Sequence, residues 1–217
     1  MSSVTVYSVP GSPFLASVLW TLEERKAPYS FVPLKPEELK QPAHLARHPF
    51  GRMPAIEHDG LSLYETQAIL RYIADRFPGE SLVPGSVRDQ ARMNQLIGIN
   101  DAYFHPKATS IIVFERLLKP SLFGQAPDEA VAQSAIPMAA LCVREIERLM
   151  EGRRYLAGDA MSLADLHLAP QMYYFAMTPE GSSILKDHPK LVSWLSLMKS
   201  RPTIRKTMIF GIEGNSS

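Results

Sequence analysis

Short apolar runs in the first part of the chain flank one stretch of helical apolar spacing, which predicts a β-α-β unit. Val4 and Val6 begin a strand that ends at a Pro/Gly turn, and residues 29–33 have the alternation and β-branched content of a second strand. The apolar positions between them lie on one side of a helix: Phe14, Leu15, Val18, Leu19 and Leu22. The crossover between the two strands is expected to be right-handed.

Residues 34–77 predict a loop, a hairpin and a helix. Residues 34–53 are rich in Pro, Lys and His and are expected to form a loop with a short helix. Asp59-Gly60 separates two short alternating runs and favours a hairpin turn, because both turn positions need positive φ. A helix is expected over 65–77, with an apolar face made of Ala68, Ile69, Tyr72 and Ile73.

The second half of the chain predicts helices alone. Residues 77–86 hold two prolines and two glycines, which is typical of a linker. Helical patterns then extend over 87–118, 128–151, 163–177 and 188–200, with a short one from Pro202. The predicted fold is an α/β N-terminal domain (β-α-β-α-β-β-α) over residues 1–78, a linker over 79–87 and an all-α domain over 88–217.

Two capping patterns open helices in the second half. Ser86 is followed three residues later by Asp89, and Ser162 by Asp165, which predicts a capping-box arrangement at both helix starts. Met161 and Leu166 are placed to form the accompanying hydrophobic staple. Both patterns predict a role in folding.

Composition excludes several classes of function. Lys and Arg number 23 against 22 Asp and Glu, a net charge of +1, which argues against nucleic acid as a partner. Cys142 is the single cysteine, so an intramolecular disulfide and a C-x-x-C pair are excluded, and its apolar neighbours predict burial. Neither a signal peptide nor a run of ~18 apolar residues is found, so no membrane contact and a cytoplasmic location are expected.

Ser12 stands at the predicted N-cap of the first helix, and Pro13 at its first position. A serine oxygen accepts from a free N–H of the first turn, and proline lacks the N–H that would be left unpaired there. The hydroxyl therefore lies where the helix dipole and the free amides attract an anion. From these residues alone, Ser12 is either a simple cap or part of a chemical site.

Further motifs follow in a fixed order along the chain. They are His48–Ala55 (HPFGRMPA), Glu65-Thr66 and Phe114–Pro120 (FERLLKP). The last is a run that begins with LAGD at Leu156, reaches LAD at residues 163–165 and continues to His167. Together with the order of elements, these motifs resemble the glutathione transferases of the serine-type, phi-like branch, over about residues 3–207. The resemblance implies a thioredoxin-like domain that binds glutathione and a helical domain that supplies the pocket for a hydrophobic electrophile.

The resemblance gives Ser12 a catalytic role. The thiolate is the nucleophile, and a free thiol of this type has a pKa of about 8.5, so a transferase must stabilise the charged form. A hydroxyl donor at a helix N-terminus does so. Redox enzymes of the thioredoxin-like fold carry Cys-Pro at the turn where this chain has Ser12-Pro13, and because serine forms no mixed disulfide, thiol–disulfide exchange is disfavoured here.

The resemblance also implies the glutathione-binding residues. Pro54 is implied to follow a cis peptide bond that aims the backbone of Met53 at the cysteinyl part of glutathione. Glu65 and Thr66, at the head of a helix, are implied to bind the γ-glutamyl amine and carboxylate, which is compatible with a simple N-cap.

Two cations complete the implied site. Lys40 and Arg52 are candidates for the glycyl carboxylate and are alternatively solvated loop cations. Leu39 replaces a histidine ligand of many phi-like members, a departure expected to weaken glutathione binding.

Other residues have competing interpretations. Tyr7 matches the catalytic tyrosine of other branches, but packing in the core is the favoured interpretation. His44 and His48 have the i,i+4 spacing of a metal site, but Pro49 argues against helical geometry at His48, so no metal is expected. Phe50 lies on an otherwise polar loop, and the resemblance implies that it inserts into a partner subunit, which predicts a homodimer; its alternative is an anchor within the domain.

The predicted function is glutathione transfer to a hydrophobic electrophile, with peroxide reduction as a further possibility and glutathione as a co-substrate rather than a cofactor. The electrophile pocket is expected around residues that are also typical of a helix core, Phe14, Tyr103, Phe104, His105 and Ile111. The alternatives are a glutathione-dependent reductase or isomerase and a non-enzymatic binding module of the same fold.

Overall fold

The computed structural model describes residues 2–207, apart from the side chain of Lys206. These residues form two compact units: one runs to Ser81 and includes the segment from Ser200, and the other is Leu82–Lys199. The segment from Ser200, which the prediction placed in the second domain, thus groups with the first unit. The predicted domain boundaries between residues 78 and 88 stay predictions.

The first unit is a four-stranded mixed sheet with helices. The strand order is β2-β1-β3-β4, with β1 and β2 parallel and the other two pairs antiparallel. This confirms the predicted thioredoxin-like domain. Its elements are β1 Val4–Ser8, α1 Pro13–Glu24, β2 Tyr29–Pro33, a 3₁₀ turn Pro36–Lys40, α2 Pro42–Leu45, β3 Ala55–His58, β4 Leu61–Tyr64 and α3 Thr66–Arg76.

Alternation along the strands and helical spacing create the core of this unit. Val4, Val6 and Ile56 are fully buried, and α1 packs against α3. The hairpin turn has the predicted positive φ at Asp59 (49°) and Gly60 (80°). The buried face of α3 is Ile69, Leu70, Ile73 and Ala74, so the predicted face was wrong at Ala68, which is exposed.

The end of the described chain is tied to α1 by charged hydrogen bonds. The short helix α10, Pro202–Lys206, contacts α1. Arg201 donates from Nε and a terminal nitrogen to the two carboxylate oxygens of Glu24, both at 2.8 Å, and the Thr203 hydroxyl donates to the same carboxylate. This bidentate contact stabilises the packing of the segment against α1.

The second unit is all-helical, as predicted. Its elements are α4 Val87–Ile99, a π-helical segment Asn100–Leu118, α5 Lys119–Phe123, α6 Glu129–Leu149, α7 Leu163–Ala176, α8 Pro179–Leu185 and α9 Pro189–Ser200. The helix predicted over 87–118 therefore changes its hydrogen bonding after Ile99 and contains Pro106, which has no N–H to donate. The prediction missed the short helices α5 and α8. Among residues 2–207 no helix is long and apolar enough to cross a membrane.

A buried carboxylate organises the start of α7. Asp165 accepts from the backbone N–H groups of Leu156 (2.9 Å) and Ser162 (2.8 Å), the Ser162 hydroxyl (2.8 Å) and Trp194 Nε1 (2.8 Å). This confirms the predicted capping box at Ser162. Burial raises the pKa of the Asp165 carboxyl, although the four donors act in the opposite direction. The Met161–Leu166 staple stays a prediction.

The other predicted cap and the buried cysteine are also confirmed. The Ser86 hydroxyl accepts from the Asp89 N–H at 3.0 Å at the start of α4, which confirms the cap. The Asp89 carboxylate accepts from the Ser86 hydroxyl at 2.8 Å and not from the Ser86 N–H, so the predicted capping box is only half formed. Cys142 is buried, and burial raises the pKa of its thiol to about 11.

Substitution by alanine at two glycines of the helical unit is expected to change the stability of the protein in opposite directions. A Cβ at Gly181 in α8 would overlap the carbonyl oxygen of Phe175, so we expect Gly181→Ala to destabilise the protein by about 3 kcal/mol. Gly98 in α4 is exposed with nothing within 4 Å, so Gly98→Ala is expected to stabilise it by about 1 kcal/mol. Urea unfolding measures both, and equal effects of one sign would contradict this description.

Candidate functional site

The sheet brings three of the predicted segments to one end. Tyr7 near the end of β1 pairs with Ala55 at the start of β3, and Ala55 pairs with Tyr64 at the end of β4. Segments 9–12, 53–54 and 65–66 therefore adjoin the strands at the same end of the sheet. The helices α1 and α3 both begin there, so two positive helix N-termini lie at this end.

Ser12 caps α1 as predicted. Its backbone is extended (φ −66°, ψ 130°), and its Oγ accepts from the Leu15 N–H at 3.4 Å, a long hydrogen bond. Ser12 is only 8% exposed. Within residues 2–207, no protein acceptor takes the hydrogen of its hydroxyl, so this donor is available to a ligand.

Met53 and Pro54 form the neighbouring segment. The peptide bond between them is cis, which confirms what the resemblance implied. The Val9 N–H lies 3.2 Å from Met53 Sδ, and so the Met53 side chain contacts the turn that leads to Ser12. Pro54 is buried and Met53 half-buried.

Glu65 and Thr66 head α3, but only Thr66 is helical. Glu65 adopts φ 68° and ψ 114°, a sparsely populated conformation for a residue with a side chain, and makes no side-chain cap bond. Such strain costs on the order of 1–3 kcal/mol and often lies at binding sites. The Glu65 side chain is exposed, whereas Thr66 is only 8% exposed.

Lys40 and Arg52 are both exposed, on either side of a tight turn. Lys40 Nζ donates to the Phe50 carbonyl at 3.3 Å. It also lies over Gly51, where φ is +58° and a Cβ would come within 2.7 Å of Nζ and 2.9 Å of the Leu39 carbonyl oxygen. Only glycine suits this turn, since both the conformation and the space exclude a larger side chain.

Three aromatic rings lie together at this turn, in a cluster that no sequence pattern predicted. The buried His48 ring lies 4.8 Å from the Tyr64 ring, and Phe50 meets both rings edge-on at 6.3 and 6.2 Å. Burial lowers the pKa of His48, so the ring is held neutral. Phe50 is 66% exposed. The spacing of His48, Phe50 and Tyr64 along the sequence matches neither strand alternation nor helical periodicity, so it predicts no contact among their rings.

The predicted core position of Tyr7 was wrong. Alternation along β1 buries Val4 and Val6 and directs Tyr7 to the other face of the sheet, where it is half-buried. Its hydroxyl donates to Glu57 Oε2 at 2.7 Å, and the Arg47 guanidinium lies 4.1 Å from its ring centre. The pKa of Tyr7 is raised, mainly by burial of the side chain and secondly by its hydrogen bond to the Glu57 carboxylate.

The residues proposed for an electrophile pocket have different environments. Phe104 is fully buried and packs edge-on against Phe175 at 5.4 Å, so it belongs to the core of the helical unit. Tyr103 is 54% exposed. His105 is half-buried, 3.2 Å from Gln171 Oε1 and 3.1 Å from the Ser110 hydroxyl.

Known proteins match both units. The family model of the glutathione S-transferase N-terminal domain matches residues 2–75, and that of the C-terminal domain residues 104–202. A probable glutathione S-transferase from Oryza sativa subsp. japonica is 33% identical over 187 residues, 85% of this chain and 86% of that one.

Solved structures agree with these matches. A glutathione transferase from Populus trichocarpa has a TM-score of 0.84 at 33% identity, over 94% of this chain and 96% of that one. Glutathione S-transferase I from maize, solved in complex with an atrazine glutathione conjugate, has a TM-score of 0.82 at 30% identity over the whole of both chains. The chain therefore belongs to the glutathione S-transferase family and is similar to its plant phi-class members.

Proposed function

We propose that this protein conjugates glutathione to hydrophobic electrophiles, with Ser12 as the residue that stabilises the thiolate. The observation that carries the proposal is the Ser12 hydroxyl, which lies at a helix N-terminus with its hydrogen not taken by any acceptor in residues 2–207. In the proposed step the Ser12 hydroxyl donates a hydrogen bond to the sulfur of glutathione, and the thiol proton passes to solvent. The thiolate then forms a C–S bond to the electrophilic carbon, and the leaving group of that carbon (chloride in a chlorodinitrobenzene) departs with its bonding electron pair.

The physical role of Ser12 follows from the ionisation of the thiol. A free thiol of this type has a pKa of about 8.5 and is mostly uncharged at neutral pH. Each unit by which the bound pKa falls corresponds to about 1.4 kcal/mol of preference for the thiolate. A hydrogen bond from a hydroxyl and the field of the α1 N-terminus both favour the charged form.

The rest of the site suits the charges of glutathione. The exposed carboxylate of Glu65 is proposed to bind the α-amine, and Thr66, with the first N–H groups of α3, the γ-glutamyl carboxylate. The backbone of Met53 before Pro54 is proposed to pair with the cysteinyl residue, and Lys40 and Arg52 with the glycyl carboxylate. Leu39, half-buried beside this turn, contributes no charge.

Conjugation is favoured over the alternatives by the maize relative, which was solved with a glutathione conjugate. A non-enzymatic binding module would not need the available Ser12 hydroxyl, and a reductase would need a cysteine where this chain has Ser12. Peroxide reduction, a homodimer and a cytoplasmic location stay predictions.

The proposal is tested by incubating the protein with glutathione and a chlorodinitrobenzene and following formation of the thioether. We expect conjugation above the uncatalysed rate. Dehydroascorbate and cumene hydroperoxide serve as parallel substrates for reductase and peroxidase activity. Glutathione binding without conjugation of any electrophile would support the binding module, and reduction of dehydroascorbate alone would support the reductase.

A further inference from the structure

We propose that Arg47 is a positioning residue for glutathione: it fixes the segment that carries the loop at residues 51–53 against the sheet. Together with Tyr7 and Glu57 it forms a group that we call the Arg47 clamp. The inference rests on the proposed function, because the loop it positions is the one assigned to glutathione. Arg47 itself is not proposed to touch glutathione.

The clamp joins the turn after α2 to two strands. Arg47 Nε donates to Glu57 Oε1 at 3.0 Å, while the Tyr7 hydroxyl donates to Glu57 Oε2 at 2.7 Å, so both oxygens of this carboxylate are used. The Arg47 guanidinium also lies 4.1 Å from the centre of the Tyr7 ring. A planar guanidinium makes the stacked contact and the directed hydrogen bond at once, which the point charge of lysine does not.

A second anchor connects α2 to the proposed glutathione loop. His44 lies three residues before Arg47, is 2% exposed, and its Nε2 is 2.7 Å from the Arg52 carbonyl oxygen. A carbonyl oxygen only accepts, so Nε2 carries the hydrogen and donates it. Thus α2 contacts the backbone one residue before Met53.

Backbone hydrogen bonds connect α2 to residue 51 through the turn between them. The His48 N–H donates to the His44 carbonyl and the Gly51 N–H to the His48 carbonyl, both at 2.8 Å. Lys40 Nζ closes the turn from the other side by donating to the Phe50 carbonyl at 3.3 Å. The Arg47 clamp, α2 and residues 51–53 therefore form one connected piece, held to the sheet by the clamp.

Loss of the clamp is expected to act on binding rather than on the chemical step. The pair is partly exposed, with side-chain exposures of 28% for Arg47 and 43% for Glu57, so breaking it costs little stability. The loop, however, would lose its fixed position, and misplacement of a binding group by ~1 Å reduces catalytic efficiency by up to about 10²-fold. Ser12 caps α1, and among residues 2–207 the hydrogen bonds of Arg47, Tyr7 and Glu57 and the Arg47–Tyr7 ring contact do not reach α1.

The first test measures steady-state kinetics of Arg47→Met, Arg47→Lys, Glu57→Gln and the double variant Arg47→Met/Glu57→Gln. We expect KM for glutathione to rise on the order of tenfold in Arg47→Met, with kcat and the thiol pKa of bound glutathione unchanged. Arg47→Lys is expected to recover little, and the double variant to be less than additive. Arg71→Met, which removes the exposed Arg71–Asp75 pair on α3 (2.6 Å), is the matched control.

A second measurement separates this inference from the proposed function. Amide hydrogen exchange of the free protein is expected to speed up over residues 42–52 in Arg47→Met and to stay unchanged in α1 and α3. Unchanged exchange there, or an unchanged KM, would overturn the inference while conjugation by the wild type still stands. If the wild type binds no glutathione, the proposed function is wrong and so is this role of Arg47, whatever the exchange shows.

Discussion

Ser12→Ala is expected to lower the rate of conjugation on the order of 10²-fold, the effect of removing one preorganised donor from a developing or bound anion. The hydroxyl is the donor with an available hydrogen at the N-terminus of α1. The other proposed contacts to glutathione lie on residues 40, 52–53 and 65–66 and are unaffected, so KM for glutathione is expected to change far less than kcat. Steady-state kinetics at saturating electrophile measure both.

Loss of the helix cap needs its own control, because Ser12→Ala also removes the bond to the Leu15 N–H. That bond is long, 3.4 Å, so its loss costs no more than about 1 kcal/mol of stability. Ser86→Ala also removes an N-cap hydroxyl, at α4, where the bond from the Asp89 N–H is 3.0 Å and the hydroxyl also donates to the Asp89 carboxylate at 2.8 Å; it is expected to lower stability without lowering kcat. A similar fall in kcat in both variants would show that the effect of Ser12 is structural.

Asp165→Asn is expected to destabilise the protein by about 4 kcal/mol. The carboxylate accepts from four donors, and all of them are buried with it. An amide of the same size turns its NH₂ group towards some of these donors, which are then left without an acceptor in the interior. The midpoint of urea unfolding measures the loss, with the slope unchanged if only stability is affected.

The control for this prediction lies in the same loop. Asp159 belongs to the same motif but is exposed, so Asp159→Asn is expected to change stability by less than about 0.5 kcal/mol. If the two variants were equally stable, the buried carboxylate would not organise the start of α7.

Features set by neighbouring residues could be predicted from the sequence. The Asp59-Gly60 hairpin, the Ser12 cap and the Ser162–Asp165 capping box each depend on a few consecutive positions, and all were found in the structure. The resemblance to a family supplied what local patterns do not contain, including the cis bond before Pro54.

Features set by contacts between distant residues could not be predicted. Alternation along β1 places Tyr7 on the face opposite Val4 and Val6, but the polar partners that it meets there, Arg47 and Glu57, are distant in the sequence. The His44 contact with the Arg52 carbonyl depends on the path of a loop that has no periodicity. The helix α8 has seven residues, too short for a full apolar pattern to show.

The central claim, that this protein stabilises the glutathione thiolate through Ser12, is tested most directly by titrating the ultraviolet thiolate absorbance of bound glutathione with pH. The thiol of the protein itself adds little thiolate absorbance, since Cys142 is its single cysteine and burial raises that pKa to about 11. We expect a depressed thiol pKa in the wild type and a pKa near about 8.5 in Ser12→Ala. Bound glutathione with an unshifted pKa in both proteins would contradict the account.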